Sequence, residues 1–331
     1  MKRVYLHLGF HKTASSSFQD TCKQNRRAIA KQGVTYPLYK TNVNWRSVIS
    51  NHSMLFCSPF LENPEKYQLN VMHNIKNVDA LNKHYLKIIE QHVTSKANII
   101  FSGEGISTLP ENALKDLSNF LAKFDCEVIP FALVRSPYDY HCSALQQRIK
   151  SGQYRDFGRY ISQVNTIKRL KKAFDNVQFI PFREACGHHG GPVQFIFDFM
   201  NIDTKGFKFI NKNEGASNDL VRIQNEINKQ SPLFDGNLNI NADWINVRAL
   251  KLPTHNEKFL YTKEEYNLIQ QKCELDNQSF TELLGVQFTD KEIKFSKPNH
   301  TYNELAMKVI TNKTTRPKHY LTSLLKRALK R

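Results

Sequence analysis

The chain has 331 residues, is 40% hydrophobic and carries a formal charge of +17. That length buries a full core, and no run of the ~18 or more apolar residues a membrane span needs occurs. The six cysteines are scattered without a C-x-x-C pair, which disfavours a disulfide framework or a thiolate metal cage. Met1-Lys2-Arg3 is followed by too few apolar residues before Gly9 for a secretory leader, so a cytoplasmic protein is expected.

The charge is uneven. Lys291–Arg331 holds eleven Lys and Arg against Glu292 and Glu304, a net of +9, which leaves +8 on the rest. A moderately basic body suits anionic ligands, and the tail needs its own explanation.

In chain order, Val4–Leu8 predicts a first strand and Ser15–Lys31 a helix opened by serines. Between them runs Gly9-Phe10-His11-Lys12-Thr13-Ala14-Ser15-Ser16-Ser17. A strand, a glycine turn, a lysine and hydroxyls at a helix start form a phosphate cradle, because helix N-terminal amides and the helix dipole both face an anion. The triphosphatase pattern G-x-x-x-x-G-K-[ST] is not met, since its second glycine is missing.

Asn42–Gln68 lacks a period and reads as a long loop or insert, with His52 in it placed to meet an acceptor. Val78–Val93 has helical spacing; Asn98–Ser102, ending at Gly103-Glu104, has the pattern of a buried parallel strand. Pro110–Phe124 predicts a helix, Glu127–Val134 a strand, and Tyr138–Ser151 and Phe157–Phe174 further helices. Val177–Ile180 predicts a strand stopped by Pro181. Alternating strands and helices imply βαβ units in a parallel sheet. Helical spacing returns at Gly190–Met200, Asn218–Lys229 and Lys263–Leu284.

Arg135 closes the Glu127–Val134 strand, and Ser143 lies about two turns into the next helix. Ligands of parallel sheets sit at the carboxyl ends of strands, so Arg135 is expected on the same edge as the Lys12 loop. An arginine fork with a serine hydroxyl suits a second phosphate.

The paired motifs, strand–Lys12-Thr13-x-Ser15-Ser16 and strand–Arg135-x-Pro137 with Ser143 eight residues on, resemble the sulfotransferases that use 3′-phosphoadenosine 5′-phosphosulfate. His7–Thr13, Ser102-Gly103-Glu104, Pro181–Glu184, Gly190–Phe199 and Tyr261–Leu284 extend the resemblance to the bacterial carbohydrate-sulfotransferase-like branch, over roughly residues 1–288. Ala14 stands where glycine is usual, and serines replace common threonines.

The resemblance implies an α/β fold with a P-loop-type parallel sheet flanked by helices over 1–288; beyond it, residues 289–331 read as a helical, basic C-terminal extension. It implies that the loop from His11 through Lys12, Thr13, Ala14, Ser15 and Ser16 to Ser17 holds the 5′-phosphosulfate, and that Arg135 and Ser143 hold the 3′-phosphate. Lys12 would stabilise the leaving oxygen, and Glu104 would accept the acceptor's proton, with His52 as a further candidate. No metal is required. The expected partner is a glycan or lipid-linked glycan. Trp45 and Trp244 could stack on sugar rings, Arg148 could reach an anion, and the turn around Leu252–Phe259 would meet the adenine.

In the tail, Leu321, Leu324, Leu325, Ala328 and Leu329 share one helical face among lysines and arginines, the pattern of a helix lying on the inner face of an anionic membrane. A helix packed on the body, or a solubilising tail, fits the same residues. Two other functions stay open on the residues alone: a nucleotide phosphotransferase, and a non-catalytic polyanion binder. Nucleic acid is not an expected partner, for no nucleic-acid motif is present.

Overall fold

A computed structural model describes residues 1–10, 12–40, 48–211, 215–233, 241, 244–247, 257–297 and 302–315. Five parallel strands, β1 (Arg3–Leu8), β2 (Val34–Thr35), β3 (Asn98–Gly103), β4 (Glu127–Val134) and β5 (Gln178–Pro181), form one sheet in the order β2-β3-β1-β4-β5. The helices are α1 (Ser15–Gln24), α2 (Arg26–Ala30), α3 (Ser53–Cys57), α4 (Gln68–Met72), α5 (Val78–Val93), α6 (Glu111–Leu121) and α7 (Pro137–Lys150). They continue with α8 (Val164–Ala173), α9 (Phe182–Gly187), α10 (Gly191–Phe199), α11 (Asn218–Gln230), α12 (Lys263–Asn267), α13 (Gln270–Leu284) and α14 (Tyr302–Thr315). The protein is therefore α/β with a parallel sheet flanked by helices, as expected.

The chain divides into two compact units. The first comprises Met1–Ser136, Gln163–Asn213 and Thr281–Phe288; the second comprises Pro137–Ser162, Glu214–Phe280 and Thr289–Arg331. The boundary expected at 288/289 is one of five points at which the chain passes from one unit to the other. The described part of 289–315 belongs to the second unit, where Tyr302, Leu305, Ala306 and Val309 of α14 share a core with Ile223 and Ile227 of α11.

The first unit contains the sheet, buried on both faces as parallel sheets are. Tyr5, Ile100, Phe131 and Leu133 face one core with Phe18 and Cys22 of α1, Ile29 of α2 and Val193, Ile196 and Phe197 of α10. Alternate residues Val4, Leu6, Leu8, Ile99 and Phe101 are equally buried, and Phe101 meets Phe56 of α3 edge to face at 4.8 Å.

Three helix predictions need correction. Ser15–Lys31 breaks at Asn25, whose amide donates to the Thr21 and Lys208 carbonyls while its oxygen accepts from Lys208 N–H, so the side chain competes with the helical ladder. Phe157–Phe174 is helical only from Val164. Before it, Asp156 caps Gly158 N–H at 2.7 Å and His141 Nδ1 accepts from Ile161 N–H at 3.0 Å, which holds a loop. Lys263–Leu284 is two helices, the first opened by a Thr262–Glu265 capping box. The stretch Asn42–Gln68 contains α3, so its described part is more regular than expected.

The second unit is organised by a polar α11. Arg222, 6% exposed, pairs with both Glu265 oxygens at 2.6 and 2.7 Å and donates to Asn218 Oδ1 and the Leu260 carbonyl. Gln224, Asn225 and Asn228 of the same helix bond backbone at Ile245 and Val247, at Arg155, and at Ile149 and Gln153. Thr262–Glu265 and the loops around α11 are thereby held by side chains rather than by a sheet.

Burial keeps three histidines neutral: it lowers His7 and His52 to about 4 and His141 to about 3, with the Arg148 charge a lesser cause for His141. Each has its folded pKa below the unfolded value near 6.5, so the unfolded chain binds more protons between about 4 and 6.5. Their contribution is complete above pH 6.5 and is lost as pH falls toward 4. The unfolding free energy from urea titration is expected to be flat from pH 7 to 8 and to drop below 6.5, by about 1.4 kcal/mol per pH unit for each histidine. A free energy unchanged down to pH 4.5 would contradict the buried, neutral state.

Candidate functional site

The site is built where β1 ends. With β3 on one side of β1 and β4 on the other, the chain turns to opposite sides after β1 and β4, so a crevice opens at their carboxyl ends. Gly9 leaves β1 with its N–H on the Gly103 carbonyl at 3.3 Å. A side chain at this position would be crowded. A Cβ on Gly9 would lie 2.8 Å from Ser15 Oγ and 3.2 Å from the Glu104 Cα, so the glycine lets the loop pass between the start of α1 and the end of β3.

The loop is tied from within. Thr13 Oγ1 donates to the Phe10 carbonyl at 2.7 Å, and Ser15 Oγ leans on the same oxygen at 3.4 Å. Lys12 and Ala14 take left-handed backbone, at φ 68° and 64°. Each costs a non-glycine residue about 1–2 kcal/mol. Left-handed residues alternating with right-handed ones are the backbone pattern from which anion nests are built. It also gives a physical reason why glycine suits position 14 better than alanine. Ala14 is the N-cap of α1 and offers no capping side chain, so the first-turn amides of Ser15, Ser16 and Ser17 are not satisfied by an N-cap oxygen.

Arg135, at the end of β4, reaches this loop. Its Nε donates to the Lys12 carbonyl at 2.7 Å. The guanidinium lies 4.2 Å from the Phe182 ring centre, and Gln163 Nε2 donates to the Arg135 carbonyl at 2.6 Å. A cation held over an aromatic face with its own backbone anchored is a fixed charge. Phe182 and Gln163 were missed as site residues by sequence reasoning. Their roles depend on which strand end they pack against, and Gln163 carries no local motif.

Glu104 stands across the cradle, one residue beyond β3. Ser16 Oγ contacts its Oε1 at 3.4 Å, and Ser107 Oγ donates to the carbonyls of Gly9 and Glu104. Lys12, Thr13, Ala14, Ser15, Ser16, Ser17, Glu104 and Arg135 are therefore brought to one edge of the first unit. Beneath them His7 Nδ1 meets Ser102 Oγ at 2.8 Å, and Gln19 Nε2 donates to the same hydroxyl at 3.2 Å.

His52 is placed differently from the expectation. It is fully buried, its Nδ1 accepts from Ser102 N–H at 2.9 Å, and its Nε2 lies 2.8 Å from the Pro37 carbonyl. Because Nδ1 accepts, Nε2 carries the proton and donates to Pro37. Both nitrogens thus serve backbone, and this ring ties α3 and the Pro37 segment to β3 instead of facing an acceptor. Nothing in its sequence neighbourhood signals this, since the partner strand is fifty residues away.

The other candidates divide. Ser143 is half-buried on α7 in the second unit. Trp244 is half-buried and donates from Nε1 to Asn228 Oδ1 at 2.9 Å. His11, Trp45, residues 252–256 of the Leu252–Phe259 turn and the 318–331 tail lie outside the described residues. Among the described residues no group of three or more His, Cys, Asp or Glu is arranged to hold a metal ion, and no helix is long and apolar enough to cross a membrane.

The arrangement can bind an anionic phosphoryl or sulfuryl group at the α1 N-terminus, with Lys12 and Arg135 as cations and Glu104 as a carboxylate opposite. Set against known proteins, the chain matches no family model, no curated protein and no solved structure.

Proposed function

We propose that the protein is an enzyme, a P-loop-type sulfotransferase that moves the sulfuryl group of 3′-phosphoadenosine 5′-phosphosulfate to a hydroxyl of a glycan or glycolipid. The observation that carries the reading is the 2.7 Å contact of Arg135 with the Lys12 carbonyl, which joins two anion-gripping loops at one crevice. The donor set fits a co-substrate with a phosphosulfate and a separate phosphate: a helix start without a capping side chain, with a lysine, for the first, and a guanidinium for the second.

In this reaction the acceptor oxygen forms a bond to sulfur while the bond from sulfur to the bridging 5′-phosphate oxygen breaks. Charge therefore grows on the leaving oxygen, and positioning with electrostatic stabilisation does most of the work. Lys12 and the α1 amides neutralise that charge. Glu104 takes the proton of the acceptor hydroxyl, and Ser16 helps to orient its carboxylate.

Replacing Glu104 by glutamine keeps the shape and removes the base. Turnover is expected to fall about 10²–10⁴-fold while affinity for 3′-phosphoadenosine 5′-phosphate changes little. Mass spectrometry of glycans incubated with enzyme and co-substrate, read as an added sulfate, measures it. Wild-type turnover in the glutamine variant would reject Glu104 as the base.

A cytoplasmic enzyme touching the inner face of a membrane through the basic tail is part of the same proposal, supported by the Leu321–Leu329 pattern alone. Liposome flotation of the full chain against a form lacking 318–331 tests it, with equal flotation counting against it.

A further inference from the structure

Three arginines of the second unit lie within twelve residues of one another along the chain. Arg148 lies near the end of α7, and Arg155 and Arg159 follow on the loop 151–162. From Arg148 to Ser162 the chain has four basic residues, counting Lys150, against one acidic residue, Asp156. Asp156 uses Oδ1 to hold Gly158 N–H. None of the three arginines has an acidic partner among the described residues.

The backbone that carries them is pinned. Ser151 Oγ and Gln153 N–H both donate to the Arg148 carbonyl, at 2.8 and 3.1 Å. Asn225 accepts from Arg155 N–H and donates to the Arg155 carbonyl, both at 2.9 Å. Asn228 Nδ2 reaches the Ile149 and Gln153 carbonyls at 2.8 and 3.1 Å, and His141 receives Ile161 N–H. Buried amides of α11 thus hold the loop backbone in one shape.

The guanidinium of Arg155 is turned by Gln153 Oε1, which accepts from its Nη2, and its Nε is buried with no partner. Burial, and next the charges of Arg148 and Arg159, hold its pKa below the usual arginine value. Beside it Tyr154 is 42% exposed, with Lys229 Nζ 5.8 Å from its ring centre. Planar forks match carboxylate and sulfate oxygens in pairs, and an exposed aromatic face suits a sugar ring.

We propose that Arg148, Arg155 and Arg159, with Tyr154, form a docking surface for an acidic glycan, one bearing carboxylate or sulfate groups along its chain. The inference narrows the acceptor class of the proposed sulfotransferase and rests on that reading for its biological use. The binding itself is independent of turnover.

Calorimetric titration of the full-length protein with a chondroitin sulfate octasaccharide tests the surface, with a neutral malto-octaose as the reference. The wild type is expected to bind the acidic chain and not the neutral one. Arg148→Gln/Arg155→Gln/Arg159→Gln should weaken it by about tenfold or more, a loss of about 1.4 kcal/mol. A charge-matched control, Lys83→Gln/Lys87→Gln/Lys96→Gln on exposed positions of the first unit, should stay within about twofold of wild type. If the triple arginine variant does not fold, Arg159→Gln alone, at an exposed side chain, should still weaken binding about threefold.

No binding by the wild type, equal loss in both triple variants, or unchanged affinity in the arginine variants would each overturn the proposal. So would a short DNA duplex that competes as well as the acidic glycan, which would mark a general polyanion patch. Titration of the same samples with 3′-phosphoadenosine 5′-phosphate separates the two readings. Glycan binding as expected with no nucleotide binding would sink the sulfotransferase and leave the surface standing. Nucleotide binding retained with no glycan binding does the reverse.

Discussion

Lys12→Ala is expected to abolish sulfuryl transfer to the limit of detection. Lys12 sits in left-handed backbone at the mouth of α1, with its carbonyl fixed by Arg135 at 2.7 Å. The side chain is thereby launched from a position that the rest of the site defines. Removing one preorganised stabiliser of developing charge typically costs about 10²–10³ in kcat, and under the proposed function the lost group is a full charge beside the leaving oxygen. Lys12→Arg is expected to restore little, because a planar fork does not replace a compact ammonium at a tight nest. Single-turnover transfer with saturating co-substrate is the readout. A variant within about fivefold of wild type would remove Lys12 from the chemistry.

The largest expected effect on stability comes from the second unit. Arg222→Met leaves the Glu265 carboxylate without its bidentate partner and strips the Leu260 carbonyl and Asn218 Oδ1 of a donor. Breaking a buried pair from one side costs about 3–5 kcal/mol, because a charge is left uncompensated. Most of that should return in Arg222→Met/Glu265→Met, where both charges are gone, although Glu265 also completes the Thr262 capping box. Urea unfolding followed by far-ultraviolet circular dichroism measures both. If the single variant loses less than about 1 kcal/mol, the pair does not organise this unit.

The sheet was largely legible. β1, β3, β4 and β5 are apolar runs closed by Gly9, Gly103, Arg135 and Pro181, and their parallel pairing follows from the helices between them. β2 was not, since Val34–Thr35 is too short to show a period. The cradle was legible for the same reason as the sheet: strand ends share an edge, so Lys12 and Arg135 meet although 123 residues separate them.

What escaped depends on partners remote in the chain. Asn25 reads as helical until its bonds to Lys208 are known, and His52 reads as a loop histidine until Ser102 and Pro37 enclose it. Residues 157–163 have helical composition, yet Ile161 N–H is drawn to His141. The packing of the residues beyond 288 was likewise hidden, because α14 finds its core on α11 some eighty residues earlier.

Calorimetric titration with 3′-phosphoadenosine 5′-phosphate, run beside ATP–magnesium, addresses the anion cradle most directly. The site described here predicts saturable one-to-one binding of the bisphosphate nucleotide, lost in Lys12→Ala and in Arg135→Ala, with no comparable binding of ATP–magnesium. Absence of that binding, its persistence in both variants, or a preference for ATP–magnesium would contradict it.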